Sequence, residues 1–527
     1  MSFSCGKTRK VDDKLIQYDN ALAIVCDTAR EHASWRRHNS STSSRKRTRT
    51  PLVGSDRIAS GFTRVPLINA LDSRCAAAVL APHSTPQHDT SAMDGYAVCS
   101  SSTLTASDDN PLLLRVVDYI AAGDGQRLKH QDDINFQEAT TVCVEIMTGA
   151  RFPETSFPFL DAVAKVEDVV LGEDWSDDGS MVSRHILLRK PVSPCQHRRP
   201  AGSDIRKGAV IVEEGRVIRP KHIAALASLG VVDVEVSDIP NLTIEEHRES
   251  APSRPPRIGF LSTGSEIVDL SQRDVFARRE QLDIQSIPDS NGPYMLTTLN
   301  TMCPWVEVMH LGIAEDNVDA LTQKLTAAVT RDDLDVIITS GGVSRGRYDL
   351  VRDVVENRLK GRVRFHGAKI RPGAPVLFGE IDVEAAGRTS RSDRPIAFFG
   401  APGNPLAAAV ALRFFVLPYV LSLSPLSERC HHSMLKTFDS GDSHNSTFSI
   451  CNGGVRKVQL NSCRRKPRDM TVFWLARHSP NDAQTVEILT DQASYKLSGL
   501  LKADCWVVVP VGVDEVCSGD QLMMCSL

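Results

Sequence analysis

The chain has 527 residues, enough for several domains with their own apolar cores. With 61 Lys and Arg against 65 Asp and Glu, its formal net charge is −4, which excludes the basic excess of a dedicated nucleic-acid binder. Hydrophobic residues make up 41% and charged residues 24%, as in an ordinary globular protein. The 13 cysteines include no Cys-x-x-Cys pair, so a zinc ribbon or thioredoxin-type motif is ruled out and reduced thiols are expected.

From the N-terminus, Asp12, Asp13 and Asp19 interrupt any apolar core in the first 20 residues, so no secretory or mitochondrial leader is expected and the location is read as cytoplasmic. Trp35 to Thr50 carries six Lys or Arg residues and no acid. Such a run cannot bury enough apolar surface to order itself, and residues 1–56 are predicted to be a disordered basic extension. Ile58, Val65, Ile68, Leu71 and Val79 suggest a helical pattern over 57–80. Short strand-like runs (LLLRVVDYI, TTVCVEIM, HILLRK) punctuated by Gly, Pro and Asp make 82–200 β-rich. GAVIVEEGRVIRP reads as a hairpin, Lys221 to Leu229 as a short helix and VVDVEV as a strand, before a Pro-rich linker at 240–256. Beyond it, strands (RIGFLS, WVEVMHLGI, DVIITS, PIAFFG) alternate with helical segments, which predicts a parallel α/β layer. The longest apolar stretch, Ala407 to Leu421, is broken by Arg413 and Pro418 and is read as a buried helix with no membrane span. The last hundred residues return to short strands, a small β-barrel or sandwich.

Three of the α/β strands run into small-residue turns: Thr263-Gly264-Ser265-Glu266, Gly341-Gly342-Val343-Ser344, and Ala401-Pro402-Gly403-Asn404-Pro405. Glycine lets backbone N–H groups approach an anion, and Ser or Thr hydroxyls add donors. Asn404 with Pro405 is expected to cap the next helix and present a phosphate-friendly N-terminus. None of the turns is a Walker A loop or a G-x-G-x-x-G fingerprint. Glu266, Asp316 and Asp349 accompany the turns. Carboxylates beside a phosphate cradle suit Mg²⁺; the plainer role of each is helix capping. Arg371-Pro372-Gly373 offers a guanidinium for an oxyanion, or a surface turn. Met93-Asp94-Gly95 sets one carboxylate at a tight bend.

In order, SAMDGYAV (91–98), IMTGA (146–150), RPAGSDIRKG (199–208), LASLG (226–230), STGSE (262–266), DSNGPYM (289–295), SGGVSRGRYD (340–349), RPGAP (371–375) and APGNP (401–405) resemble the molybdopterin molybdenumtransferase family, the MoeA type and the gephyrin E domain. The resemblance covers about residues 57–527. It implies an α/β multidomain fold: a mixed α/β base (57–85 and 204–250), an inserted β-rich lobe (86–203), a three-layer molybdopterin-binding α/β domain (254–425) and a C-terminal β-barrel (426–527).

The resemblance also implies a homodimer that inserts molybdenum from molybdate into adenylylated molybdopterin, releasing AMP with a divalent cation. A fusion that also adenylylates molybdopterin would need a second such α/β domain; only one set of STGSE and SGGVS turns is present, so a separate adenylyltransferase is expected as supplier, with molybdoenzymes as acceptors. Residue by residue, the resemblance makes Asp94, Asp204, Glu266, Asp316 and Asp349 catalytic, the last three holding Mg²⁺. Thr148, Ser262, Thr263, Gly264, Ser340, Gly341, Gly342, Ser344, Gly403 and Asn404 would bind substrate, and Arg371, Pro372 and Arg477 would bind molybdate. The chain departs from the pattern in having Arg371 for a lysine, Gly367 at a second lysine position and Gly499 at a barrel serine. Those departures motivate the alternative of a non-catalytic molybdopterin-binding scaffold.

Overall fold

The structure, a computed structural model, describes residues 15–38, 56–57, 62–123, 141–153, 160–175, 181–238, 255–269, 286–331, 333–344, 350–382, 395–424, 456–480 and 482–527. By its internal contacts the chain forms two units. One spans 1–12, 81–209 and 265–288, the other 13–80, 210–264 and 289–527. The expected linker at 240–256 lies almost wholly outside the described residues.

The first unit is built on a six-stranded sheet whose order is 169–175, 181–188, 112–120, 142–146, 95–98 and 162–165. All neighbours are antiparallel except 112–120 with 142–146. Strand alternation sends Tyr96, Val98 and Cys143 to one apolar cluster and Ala97, Val144 and Ile146 to another, so both faces are covered. Gly95 opens its strand because nothing larger fits: a Cβ there would stand 2.0 Å from the Ala164 carbonyl oxygen.

The second unit holds the expected α/β sheet, ordered 307–314, 257–263, 336–340, 396–401, 377–381 and 362–366. The first four strands are parallel, and the last two form an antiparallel extension. Val336–Ser340 and Ile396–Ala401 are buried at every residue, as strands covered on both faces must be. The helix from Pro405 runs through a π-turn at 412–416 to Ser422. It is long and apolar enough to cross a membrane, yet 83% of that window is buried inside the protein.

The C-terminal strands close into a five-stranded barrel: 471–479 pairs with 482–488, then 456–460, 521–526 and 505–509, which returns to 471–479. Ile370–Arg371 adds to its outside, parallel to Thr471 and Val472.

Two sequence expectations fail in this unit. The apolar spacing over 57–80 does not make an α-helix among the described residues. Thr63–Pro66 pairs with Asp233–Val236, a single 3-10 turn spans Leu67–Ala70, and Val79–Leu80 pairs with Val210–Val212 in place of the expected hairpin. Pro66 removes a donor at the point where a helix would need one, and Asp72 takes a left-handed φ of 63° that interrupts the pattern.

The second failure is the N-terminal extension. Tyr18–His38 is a 21-residue helix, not a disordered tail. Its residues Tyr18, Ala21, Leu22, Val25 and Ala29 are buried at the i, i+3, i+4, i+7, i+11 spacing of one helical face. The Tyr18 ring meets Phe415 at 5.5 Å and Phe473 at 5.2 Å, both edge-on. Further along, His32 is hydrogen-bonded to Tyr419 and, at 3.1 Å, to Glu380, while Arg36 pairs with Asp335. The His32 contact, chiefly, holds the Glu380 carboxyl below its ordinary pKa. The helix is therefore part of the main core. Leu22→Ala should lower unfolding free energy by about 2–5 kcal/mol, the cost of emptying a fully buried leucine site. Denaturant unfolding checks this, and a shift below about 0.5 kcal/mol would mean that the helix does not share the core.

Candidate functional site

In an open parallel sheet, a ligand crevice forms at the carboxyl ends of strands where the connections reverse direction. Here the chain leaves 257–263 for a neighbour on one side (307–314) and returns to the other side (336–340), so the reversal lies between 257–263 and 336–340. The three small-residue turns gather at this edge and are tied to one another. Thr263 Oγ1 donates to the Ser340 carbonyl at 3.1 Å. Gly341 N donates to the Ala401 carbonyl at 2.9 Å, and Gly264 N to that of Ala314 at 3.0 Å. Asn291 Nδ2 donates both to Ser340 Oγ (2.7 Å) and to the Gly403 carbonyl (2.8 Å), lacing the second and third turns together.

Gly341 is indispensable to this packing. Its φ is +97°, and a Cβ would stand 2.5 Å from Thr263 Oγ1 and 2.8 Å from the Thr263 carbonyl oxygen. Gly342 also has a left-handed φ, 67°, and Ser344 is exposed. Ser262 is not available as a donor to ligand, because its hydroxyl donates to Asp289 Oδ2 at 2.5 Å. Asp289 is only 6% exposed; its Oδ1 accepts from Gly292 N at 2.9 Å and fixes the start of the helix Asn291–Met302. Asn404 occupies the position before the helix, but its side chain makes no capping bond, contrary to expectation. Its carbonyl accepts from Ala408 N, and Pro405 starts the helix as anticipated. The first turn of that helix is largely satisfied within the protein: Pro405 has no N–H, and Leu406 N donates to the Ser494 carbonyl at 2.9 Å.

The acids are distributed differently. Asp316 stands just before Asn317, whose Oδ1 accepts from Asp319 N and Ala320 N and caps the helix Val318–Arg331. Glu266 groups with the first unit: its Cβ lies 3.2 Å from where a Cβ on Gly123 would stand, and its carbonyl accepts from Ile287 N. Asp349 lies outside the described residues. Among the described residues no three His, Cys, Asp or Glu side chains cluster as a metal site. In the first unit, Asp94 and Thr148 come together, with Thr148 N donating to Asp94 Oδ1 at 2.7 Å. Asp204 follows a separate turn, its N–H donating to the Thr85 carbonyl.

The arginines require a correction. Arg477 is exposed and tied to Glu487 on the neighbouring strand, with Nη2 and Nε at 2.7 and 2.8 Å from Oε2. Arg371 sits beside Val472, five residues back along the same strand, which is roughly 17 Å of extended chain. Arg477 is thus engaged by Glu487 and set well away from Arg371 along the strand. Arg464 can be its companion. It donates to the Leu489 carbonyl at 2.7 Å and its guanidinium lies 5.1 Å from the centre of the Trp474 ring. Its pKa is lowered by burial and then by the charge of Arg371. Two cations brought within each other's field, neither in an ion pair among the described residues, favour an anion between them.

The substituted positions are structurally filled. Gly367 has φ +96° and Leu15 packs over it, leaving only 2.5 Å to a Cβ. At Gly499 a Cβ would be 3.0 Å from the Asp491 carbonyl oxygen. Sequence reasoning missed Asp289, Asn291 and Arg464 as site residues, although the first two lie in the DSNGPYM motif and the third in the run Arg464-Arg465-Lys466-Pro467-Arg468.

The family models that match are the MoeA N-terminal region, domains I and II (residues 21–230), a probable molybdopterin-binding domain (259–422) and the MoeA C-terminal region, domain IV (457–524). A molybdopterin molybdenumtransferase of Haemophilus influenzae is 31% identical over 68% of this chain and 72% of its own length. The chain belongs to the MoeA family. Membership makes it a transferase of molybdenum cofactor biosynthesis. A molybdopterin molybdenumtransferase of Synechococcus elongatus is 27% identical over 88% of this chain and 94% of its own. A solved structure of the molybdopterin biosynthesis MoeA protein from Pyrococcus horikoshii is 19% identical and covers 98% of this chain and all of its own, with a TM-score of 0.36. The first family model begins inside the N-terminal helix that composition alone had assigned to a disordered tail.

Proposed function

We propose that this MoeA-family chain binds adenylylated molybdopterin at the three interlocked turns, holds molybdate at Arg371 and Arg464, and inserts molybdenum as AMP leaves. The observation that carries the reading is the Asn291 link between Ser340 and Gly403. It fixes the Gly341, Gly342 and Gly403 backbone at the switch point of the sheet, next to the start of a long helix, where the positive end of the helix dipole favours phosphate. Held cations keep molybdate near the dithiolene, which makes metal transfer effectively unimolecular. Pro372 shapes the turn that presents Arg371.

Asp94, Asp204, Glu266, Asp316 and Asp349 are the proposed acids of the reaction, and Thr148, whose N–H is bonded to Asp94, is proposed to contact substrate. Glu266, Asp316 and Asp349 have the hard oxygen donors that suit Mg²⁺, which would neutralise phosphate charge when bound. A homodimer, a separate adenylyltransferase as supplier, molybdoenzymes as acceptors and a cytoplasmic location complete the proposal by analogy with the family.

The test supplies purified protein with adenylylated molybdopterin, molybdate and Mg²⁺, and measures AMP and reconstitution of an apo-molybdoenzyme. Molybdate-dependent AMP release with active cofactor is expected. Tight pterin binding without either product would instead identify a scaffold.

A further inference from the structure

We propose that Cys463 and Cys517 are a redox-active thiol pair that closes to a disulfide by exchange with a low-molecular-weight disulfide such as oxidised glutathione. The pairing follows from strand register. Arg464–Arg465 and Glu515–Val516 form an antiparallel ribbon with Arg464 opposite Val516 and Arg465 opposite Glu515. One step further, Lys466 N donates to the Asp514 carbonyl at 2.8 Å. One step the other way, the same register sets Cys463 opposite Cys517.

Antiparallel ladders alternate hydrogen-bonded and unbonded pairs. Lys466 with Asp514 is a bonded pair, so Arg464 with Val516 is the next, and Cys463 with Cys517 falls on an unbonded one. There the Cα atoms of a ladder approach to about 4.5 Å, inside the roughly 4.4–6.8 Å that a disulfide spans.

Side-chain direction agrees. Val516 is buried on one face of the ribbon, while Arg465 and Glu515 meet at 3.3 Å on the other. By alternation the two thiols share that outer face, and both cysteines are exposed. The segments carrying them are fixed: Cys517 N donates to Asp520 Oδ2 at 2.7 Å, Gly519 N to the Leu460 carbonyl and Leu460 N to that of Asp520. The neighbouring Cys463 thiol is the main reason the Cys517 thiol stands above its ordinary pKa. By contrast Cys303 and Cys525 are buried, with thiol pKa values pushed up to about 12 and about 11, and are shielded from exchange.

The chemistry balances without further reagents. One protein thiolate attacks oxidised glutathione, forming a mixed disulfide and expelling a glutathione thiolate. The second protein thiol gives up its proton and attacks the protein sulfur of the mixed disulfide, expelling the other glutathione. The pair loses two electrons, oxidised glutathione gains them, and the two thiol protons end on two glutathione molecules.

The test incubates the full-length protein across a series of reduced-to-oxidised glutathione ratios, blocks free thiols and maps peptides by mass spectrometry. A cross-link joining the Cys463 and Cys517 peptides, reversed by reduced glutathione, is expected. Cys463→Ser should leave Cys517 as an unresolved glutathione adduct at least tenfold more abundant than in the wild type. The proposal is overturned if both cysteines stay blockable at the rate of the exposed Cys195, or carry only separate adducts. This outcome is independent of any AMP or molybdate measurement, so it stands apart from the oxyanion assignment.

Discussion

Replacing Gly341 with alanine is expected to weaken binding of adenylylated molybdopterin by roughly 100-fold, about 2.7 kcal/mol, while the protein still folds. Two costs combine. The residue has φ +97°, a conformation that L side chains rarely adopt. The added methyl would also stand 2.5 and 2.8 Å from Thr263 Oγ1 and the Thr263 carbonyl oxygen. The second contact is with backbone, so the strand-end turn at Thr263–Gly264 must move away from the turn at 340–342. That movement breaks the Thr263–Ser340 hydrogen bond and displaces the Asn291 link. Gly512→Ala is the matched control, since Gly512 has φ +91° but nothing within 4 Å of a Cβ. It should cost only the backbone strain, on the order of 1–2 kcal/mol of stability, with pterin affinity unchanged. Isothermal titration and thermal unfolding of both variants separate the effects. Affinity within threefold of wild type for Gly341→Ala would remove the turns from the binding site.

Local features of the sequence carried the α/β layer and the three turns, because strand periodicity, Gly and Pro each act over a few residues. What locks the turns together was not legible. Asn291 reaches atoms 49 and 112 residues away in the chain, and Asp289 is matched to Ser262 27 residues away. Asparagine and aspartate before a helix read equally well as simple caps, so their wider role is decided by the tertiary fold. The N-terminal helix shows a different failure. Its apolar spacing at 18, 21, 22, 25 and 29 was present, but the basic run from Trp35 onward dominated the composition of the segment. The side chains that hold its C-terminal half, such as Tyr419 for His32, lie 387 residues away. Over 57–80 the opposite happened: apolar residues fell at helical intervals by coincidence, and pairing with Asp233–Val236 overrode them.

The choice of arginine has the clearest consequence for chemistry. Arg371→Ala and Arg464→Ala should each reduce molybdate-dependent AMP release at limiting molybdate by roughly 100-fold, the worth of a charge-assisted contact to an anion of about 1.5–3 kcal/mol. Pterin affinity should stay unchanged, because neither residue belongs to the three turns. Arg371→Lys should retain part of the activity, since the charge persists while the bidentate geometry is lost. Arg477→Ala should change turnover by less than a factor of about five, because an exposed, paired arginine contributes at most about 1 kcal/mol. The double variant Arg371→Ala with Arg464→Ala should lose less than the product of the single effects, since both act on the same ion. Steady-state rates against molybdate concentration resolve these cases. A large loss at Arg477 with little at Arg464 would return the oxyanion to the strand position first inferred from the family pattern. Equal, additive losses at Arg371 and Arg464 would mean that they hold different groups.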